Sequence, residues 1–179
     1  MIDLRGLYSR YLRSSAALLE QLGVHKDVLH NDTVCLQVPS NDRYTQVKEE
    51  LAAWGELICE SEVNGRLIAV FELRRSLETD GWAPSFVELP QPKTGTEGEG
   101  IRHLQFVVRT GIQSFRRRHR HLDFDNRGNA RNRLLEFTGA SVVVRFHDKN
   151  MGAVIELEQR DAESHAPRSQ HPRHPRPHR

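Results

Sequence analysis

The chain has 179 residues, of which 37% are hydrophobic and 28% charged, and its mean hydropathy is −0.64. This composition predicts a soluble protein, and no apolar run approaches the length of a membrane span. The formal net charge of +2 comes from residues 161–179, which hold four arginines and two carboxylates, and the neutral remainder argues against a dedicated nucleic-acid-binding domain.

The first half of the chain predicts one helix followed by a mixed α/β unit. Apolar residues at helical spacing precede Gly23, which is suited to ending a helix. The Asn64-Gly65 pair between two strand-like segments is typical of a tight hairpin. The predicted elements are a helix over 5–23, a strand over 33–38, a helix from 41 or 42 to 54, strands over 56–61 and 66–73, and a strand over 85–89.

The second half predicts the same succession after a Gly/Pro/Thr-rich linker over 90–100. Its predicted elements are a strand over 102–109, a helix over 111–121, a loop over 123–132, a hairpin over 133–137 and 141–147, and a last strand over 153–159. The His/Pro/Arg segment 161–179 has little to bury, so we predict that it is disordered.

The order β-α-β-β-β therefore occurs twice, over about 32–89 and 102–159, after an N-terminal segment 1–30. Thr33 corresponds to His103, and Glu88 corresponds to Glu156. Alternation along the strands places all four on the polar strand faces, which the repeat can direct into one shared cavity. Solvent exposure is the simpler interpretation of such a face, but the correspondence favours a site for the histidine and the glutamates.

These residues give the chain a resemblance to the vicinal-oxygen-chelate superfamily, the glyoxalase/bleomycin-resistance/dioxygenase fold, and more closely to its YecM-like family. The matching stretches are 32–36, 64–68, 87–90, 103–105 and 145–147, within a domain of about 31–160. The resemblance implies an α+β fold in which paired βαβββ modules form a curled mixed-sheet cup, with an extra N-terminal helix. The first and last strands of each module would supply metal ligands. Thr33 stands where the family usually has histidine.

The resemblance also implies a site and a class of activity. His103, Glu88 and Glu156 would bind a divalent metal such as Zn, Mn, Fe, Ni or Co, with Glu88 and Glu156 as the catalytic carboxylates. Arg145, His147 and Thr33 would contact a small oxygen-chelating substrate. The activities it allows are those of a metal-dependent lyase, isomerase or oxygenase. The alternative is a non-catalytic small-molecule-binding or protein-binding member that has lost the metal, which the threonine favours.

The sequence also bears on nucleic-acid binding, on the cellular compartment and on the oligomeric state. The arginine-rich segment 116–121 lies on a helix anchored by Ile112 and Phe115, so we interpret it as a solvated face rather than a nucleic-acid site. Cys35 and Cys59 do not form a disulfide framework, and the N-terminus has no signal-peptide pattern, so we expect a cytoplasmic protein. The sequence leaves a homodimer open.

Overall fold

The computed structural model describes residues 1–129 and 132–165. Within these ranges the chain forms one eight-stranded sheet and four α-helices. The helices are α1 (Leu4–Gln21), α2 (Asn41–Leu51), α3 (Ile112–Arg118) and α4 (Met151–His165). The strands are β1 (Val28–Gln37), β2 (Gly55–Val63), β3 (Arg66–Leu73), β4 (Phe86–Pro90), β5 (Gly100–Val108), β6 (Asp125–Gly128), β7 (Arg133–Thr138) and β8 (Val143–His147).

Helix α1 forms where the sequence predicts it. Its N-terminus is capped by Asp3, whose Oδ1 accepts a hydrogen bond from the Gly6 amide at 3.0 Å. The chain leaves the helix through Gly23, whose φ of +68° lies in the left-handed region. The buried Tyr8 hydroxyl donates to Asn31 Oδ1 at 3.1 Å, so the helix is fastened to β1.

The strand order is β2-β3-β4-β1-β5-β8-β7-β6. β1 and β5 are antiparallel at the centre, while β4 runs parallel to β1 and β8 runs parallel to β5. Strands β1 to β4 of the first half correspond to strands β5 to β8 of the second half. When each strand is exchanged for its counterpart, the same strand order is obtained, read in the opposite direction. The fold class predicted from the sequence, a curled α+β sheet with an N-terminal helix, is confirmed.

Three register shifts interrupt the central β1–β5 pair, and two of them, which we call the first and second bulge, lie at corresponding places. Asn31 pairs with Phe106 and Thr33 with Gln105, so Asp32 is the extra residue of the first bulge. In the second bulge, Cys35 pairs with His103 and Leu36 with Ile101, which makes Arg102 the extra residue. Since a bulge redirects the side chain of its extra residue, both positions can serve a function that a regular ladder would not allow.

The two sheet faces differ in what covers them. Helices α1 to α3 contribute to the main hydrophobic core, together with Val34 of β1 and Leu104 of β5. Helix α4 packs on the other face of the sheet, in a separate small hydrophobic cluster. The same face carries Cys35 and His103, and we call this face the cup. The cup is therefore partly covered by a helix from the chain's own C-terminal part.

The sequence-based elements of the second half need three corrections. The strand predicted over 153–159 is wrong, because these residues belong to helix α4. The last strand of the second half is β8, and β6 lies within the segment predicted to be a loop. Helix α4 continues to His165, five residues into the segment predicted to be disordered, and residues 166–179 lie outside those that the structure describes.

Across the described ranges, each helix falls short of either the length or the apolar character that a bilayer crossing requires.

Candidate metal centre

Three side chains with metal-binding atoms lie side by side in the cup, on three adjacent strands. Cys35 of β1 pairs with Glu88 of β4 on one side and with His103 of β5 on the other. One ligand atom from each residue lies within 4.8 Å of the other two. We call these three residues the cup cluster. The sequence predicted His103 and Glu88 for such a site but did not predict the cysteine.

His103 is buried and has no hydrogen-bond partner. Its exposed fraction is 2%, and neither Nδ1 nor Nε2 forms a hydrogen bond within the described residues. Burial, followed by the charges of Arg145, Arg102 and Arg66, holds the pKa of His103 well below its ordinary value. The ring is therefore neutral at physiological pH, which is the form in which imidazole binds a metal.

Glu88 approaches His103 without bonding to it. The distance from its Oε2 to His103 Nε2 is 3.8 Å, which is too long for a hydrogen bond, and a neutral imidazole forms no ion pair. The same Oε2 accepts a hydrogen bond of 3.1 Å from the Gln105 side-chain amide, which fixes the carboxylate. The Glu88 side chain is 16% exposed, so this ligand lies at the mouth of the cluster.

Cys35 is a free, buried thiol. Burial and then the negative charge of Glu88 raise its pKa well above the ordinary value. The thiol therefore stays protonated when no metal ion is bound and gives up its proton when a metal binds. The signal for Cys35 in the sequence was its place on the polar side of β1, but its pairing with His103 depends on a register that the sequence does not reveal.

A divalent transition metal fits these residues. Ligand atoms in a tetrahedral zinc site lie roughly 3.3–3.6 Å apart, given zinc–ligand distances of about 2.0–2.3 Å. The His103–Glu88 separation of 3.8 Å needs to shorten by only a few tenths of an ångström. Two buried ring nitrogens without partners are costly unless a ligand satisfies one of them. Three ligands leave an open position, which is typical of catalytic rather than structural zinc.

Arg145 occupies the position in the second half that Glu88 occupies in the first. Glu88 pairs with Cys35 of β1, and Arg145 of β8 pairs with Gln105, the counterpart of that cysteine in β5. Arg145 Nε donates to Glu136 Oε2 at 2.7 Å, and Arg127 donates to the other carboxylate oxygen. A guanidinium therefore lies where a two-fold symmetric site would have its fourth ligand.

Thr33 lies on the same face of β1 as Cys35. It is fully buried, and its Oγ1 has no hydrogen-bond partner among the described residues. The register places Thr33 symmetrically with His103 about the Val34–Leu104 pair. The cup thus has an unsatisfied hydroxyl at the position that corresponds to its histidine.

His147 lies next to the cup cluster and makes a structural contact. Its Nε2 is 2.9 Å from Asp32 Oδ1, and both side chains are buried. The second oxygen, Asp32 Oδ2, accepts a hydrogen bond of 2.8 Å from the backbone amide of Met151, the first residue of α4. The structure therefore links His147 to the attachment of α4, whereas the sequence predicted a substrate contact.

Glu156 does not lie with the other predicted metal ligands. It belongs to α4, its side chain is 69% exposed, and its Oε2 is 3.4 Å from Arg160 one helical turn later. Glu156 was predicted to be a metal ligand and catalytic carboxylate because residues 153–159 were predicted to form a strand. These residues form a helix instead. Cys35 provides the third ligand type of the cluster instead.

Helix α4 covers the first-half side of the cup. Met151 and Ile155 pack against Val70 of β3, with Ile68 and Phe86 at the margin of this cluster. Val70 is the pairing partner of Glu88, so the apolar contact ends directly beside the cup cluster. Helix α4 thus covers the β3–β4 side of the cup cluster, whereas Gln105 and Arg145 lie on its β5–β8 side.

Comparisons with known proteins agree with this architecture. A family model described as YecM protein matches residues 1–158. Protein YecM of Escherichia coli strain K12 is 28% identical over 107 residues, which cover 59% of this chain and 57% of that protein. The match thus spans little more than half of the relative's length.

Two solved structures share the fold. A structural-genomics protein called EC4020 has a TM-score of 0.73 at 22% identity, and the match covers 88% of this chain and 92% of that one. The methylmalonyl-CoA epimerase of Mycobacterium tuberculosis has a TM-score of 0.50 at 17% identity, over 72% of this chain and 93% of the epimerase. At these identities the likeness concerns the fold.

Proposed function

Since this chain belongs to the YecM family, we propose that its cup binds a divalent transition metal through Cys35, Glu88 and His103. The observation that carries this proposal is the buried, neutral imidazole of His103, whose two nitrogens have no partner among the described residues. A thiol and a carboxylate lie within reach of it. Sulfur and nitrogen ligands favour zinc, cobalt or iron over manganese.

The chemistry that follows is metal-dependent conversion of a small oxygen-chelating molecule, in the manner of a lyase, isomerase or oxygenase. A bound divalent ion would polarise an oxygen of the substrate. Glu88 could hold or move a proton, because its carboxylate is at the mouth of the cluster and is oriented by the amide of Gln105. A reducing compartment such as the cytoplasm suits this site, since Cys35 must remain a thiol.

A second candidate is a binding protein without catalysis. Two of the four symmetric cup positions carry Thr33 and Arg145 in place of metal ligands, and the guanidinium opposes a cation at its own position. A cup that has lost its metal would retain a polar cavity for a small molecule. This candidate gains support if the cup cluster proves unable to take up metal.

Titration of the full chain with Co²⁺ tests the metal proposal. A thiolate ligand gives a sulfur-to-cobalt charge-transfer absorption, and histidines outside the cup cannot produce it. We expect this band in the wild type and its loss in Cys35→Ala. In His103→Gln we expect cobalt affinity weaker by about tenfold or more.

Cys59→Ser is the matched control, because Cys59 is the second free cysteine and lies outside the cup cluster. It should keep the band at wild-type intensity. A wild type that gives no band, or a band that disappears only in Cys59→Ser, contradicts the proposal and leaves the non-catalytic candidate.

A further inference from the structure

The two bulge residues, Asp32 and Arg102, lie at corresponding positions, but only the side chain of Asp32 is fully hydrogen-bonded. Both carboxylate oxygens of Asp32 are used, one by His147 and one by the backbone amide of Met151. The guanidinium of Arg102 has no hydrogen bond or ion pair with any described residue, and its side chain is half-buried. The second bulge therefore holds a cation that no residue in the ranges 1–129 and 132–165 pairs with.

The position of Arg102 directs its charge to the cup. It lies between His103, which faces the cup, and Ile101, whose side chain belongs to the core on the other face. Burial has the largest effect on the pKa of both neighbours, lowering that of His103 and raising that of Cys35. The positive charge of Arg102 has a smaller effect and lowers both pKa values. An arginine at this bulge thus forms part of the cluster's surroundings.

Arg145 contributes a second cation from β8. Its Nε donates to Glu136, whose carboxylate also accepts from Arg127. No described residue accepts a hydrogen bond from the terminal nitrogens of Arg145. Its charge also acts on His103 and Cys35. Two guanidinium groups with unused donors therefore flank the cup cluster.

A bound metal ion would leave the positive charges of Arg102 and Arg145 without a compensating anion from the metal ligands. A thiolate from Cys35 and the carboxylate of Glu88 already balance a divalent ion. The buried Thr33 hydroxyl also lacks a partner, so a polar ligand could satisfy it. Helix α4 covers the β3–β4 side of the cup cluster, and Arg145 lies on the other, β5–β8 side.

Resting on the proposed metal site, we propose that the cup takes a small organic anion, of the 2-hydroxy- or 2-oxo-carboxylate class. Its carboxylate lies between Arg102 and Arg145, and its adjacent oxygen points to the open position beside Cys35, Glu88 and His103. The arginines select for charge, and the cluster selects for a second oxygen next to it.

Binding of lactate and of lactamide, its neutral counterpart, tests this proposal by calorimetry on the full chain loaded with Co²⁺. Loading is verified beforehand by the charge-transfer band. We expect lactate to bind and lactamide to bind about ten- to one-hundredfold more weakly, as loss of charged hydrogen bonds predicts. Arg102→Gln should reduce this discrimination, and because no described residue pairs with its guanidinium, the variant should fold normally.

Arg145→Gln should reduce the discrimination as well, and far-ultraviolet circular dichroism checks that it folds, since it also gives up Glu136. Arg117→Gln, on helix α3, is the matched control and should discriminate as the wild type does. Equal binding of lactate and lactamide by the loaded protein overturns the anion proposal and leaves the metal site intact. If cobalt does not load, the metal proposal fails, whereas lactate binding that still needs Arg102 would preserve the anion site.

Discussion

Asp32 and His147 form a buried hydrogen-bonded pair, 2.9 Å apart, that joins β1 to β8. The same carboxylate accepts the amide of Met151 at 2.8 Å, so it also fixes the start of α4. One side chain thus connects a central strand of the first half, the last strand of the second half and the helix that covers the cup. The arrangement depends on the first bulge, whose extra residue is Asp32.

Replacement of Asp32 should therefore destabilise the whole fold. Asp32→Ala leaves a buried imidazole and a buried amide without their acceptor, and we expect a loss of about 3 kcal/mol or more in the free energy of unfolding. Asp32→Asn keeps an acceptor oxygen and should cost less. Urea denaturation measures both. The exposed Asp123→Asn is the control and should stay within about 0.5 kcal/mol of the wild type. Equal stability of Asp32→Ala and the control would show that this pair does not hold the fold together.

The packing of α4 on the cup can be tested separately. Ile155 is buried against Val70, so Ile155→Ala should lower the free energy of unfolding by about 2–4 kcal/mol. Leu157 lies on the same helix but is 40% exposed, and Leu157→Ala should have an effect below about 0.5 kcal/mol. If the two variants unfold at the same denaturant concentration, α4 is not docked on the sheet in solution.

Glu136 should make stability depend on pH. Burial would raise its pKa, but the hydrogen bonds and charges of Arg145 and Arg127 outweigh that effect and hold the pKa below its ordinary value. A depressed folded-state pKa stabilises the fold at pH above the unfolded value of about 4.3, and this stabilisation disappears as pH falls through the folded value. Glu136→Gln should therefore cost about 1–3 kcal/mol at pH 7 and progressively less between about pH 5 and pH 3.

Thermal or urea unfolding of both proteins across this pH range provides the measurement. Glu156→Gln is the control, because its carboxylate is exposed and should change stability by less than about 0.5 kcal/mol at any pH. A constant difference between wild type and Glu136→Gln from pH 7 to pH 3 would mean that this carboxylate is not stabilised by its arginines.

The sequence predicted the fold because its elements are periodic and come in the same order twice. It failed at the end of the second half, where Val154 and Ile155 are compatible with two interpretations. Alternation with Glu156 suggested a strand, but Met151, Val154 and Ile155 also lie at the helical spacing i, i+3 and i+4. Packing of Met151 and Ile155 against Val70 stabilises the helix, and this long-range contact cannot be read from the local sequence pattern.

The candidate site was predictable only in part, for a related reason. His103 and Glu88 carry chemistry that can be recognised in a sequence, and the correspondence of the halves indicated that Thr33 and His103 share a cavity. Cys35 joins them through strand register, and Arg102 through a bulge. Register and bulges arise from long-range pairing, so the sequence could not reveal that these two side chains reach the cup.

X-ray absorption spectroscopy of the zinc-loaded full chain tests the central claim most directly, because it identifies the atoms bound to the metal. We predict one sulfur at about 2.3 Å and nitrogen or oxygen ligands at about 2.0–2.2 Å. Cys35→Ala should lose the sulfur, whereas Cys59→Ser should keep it. A spectrum with nitrogen and oxygen ligands alone would contradict the account, since it would place the zinc outside the Cys35–Glu88–His103 cluster.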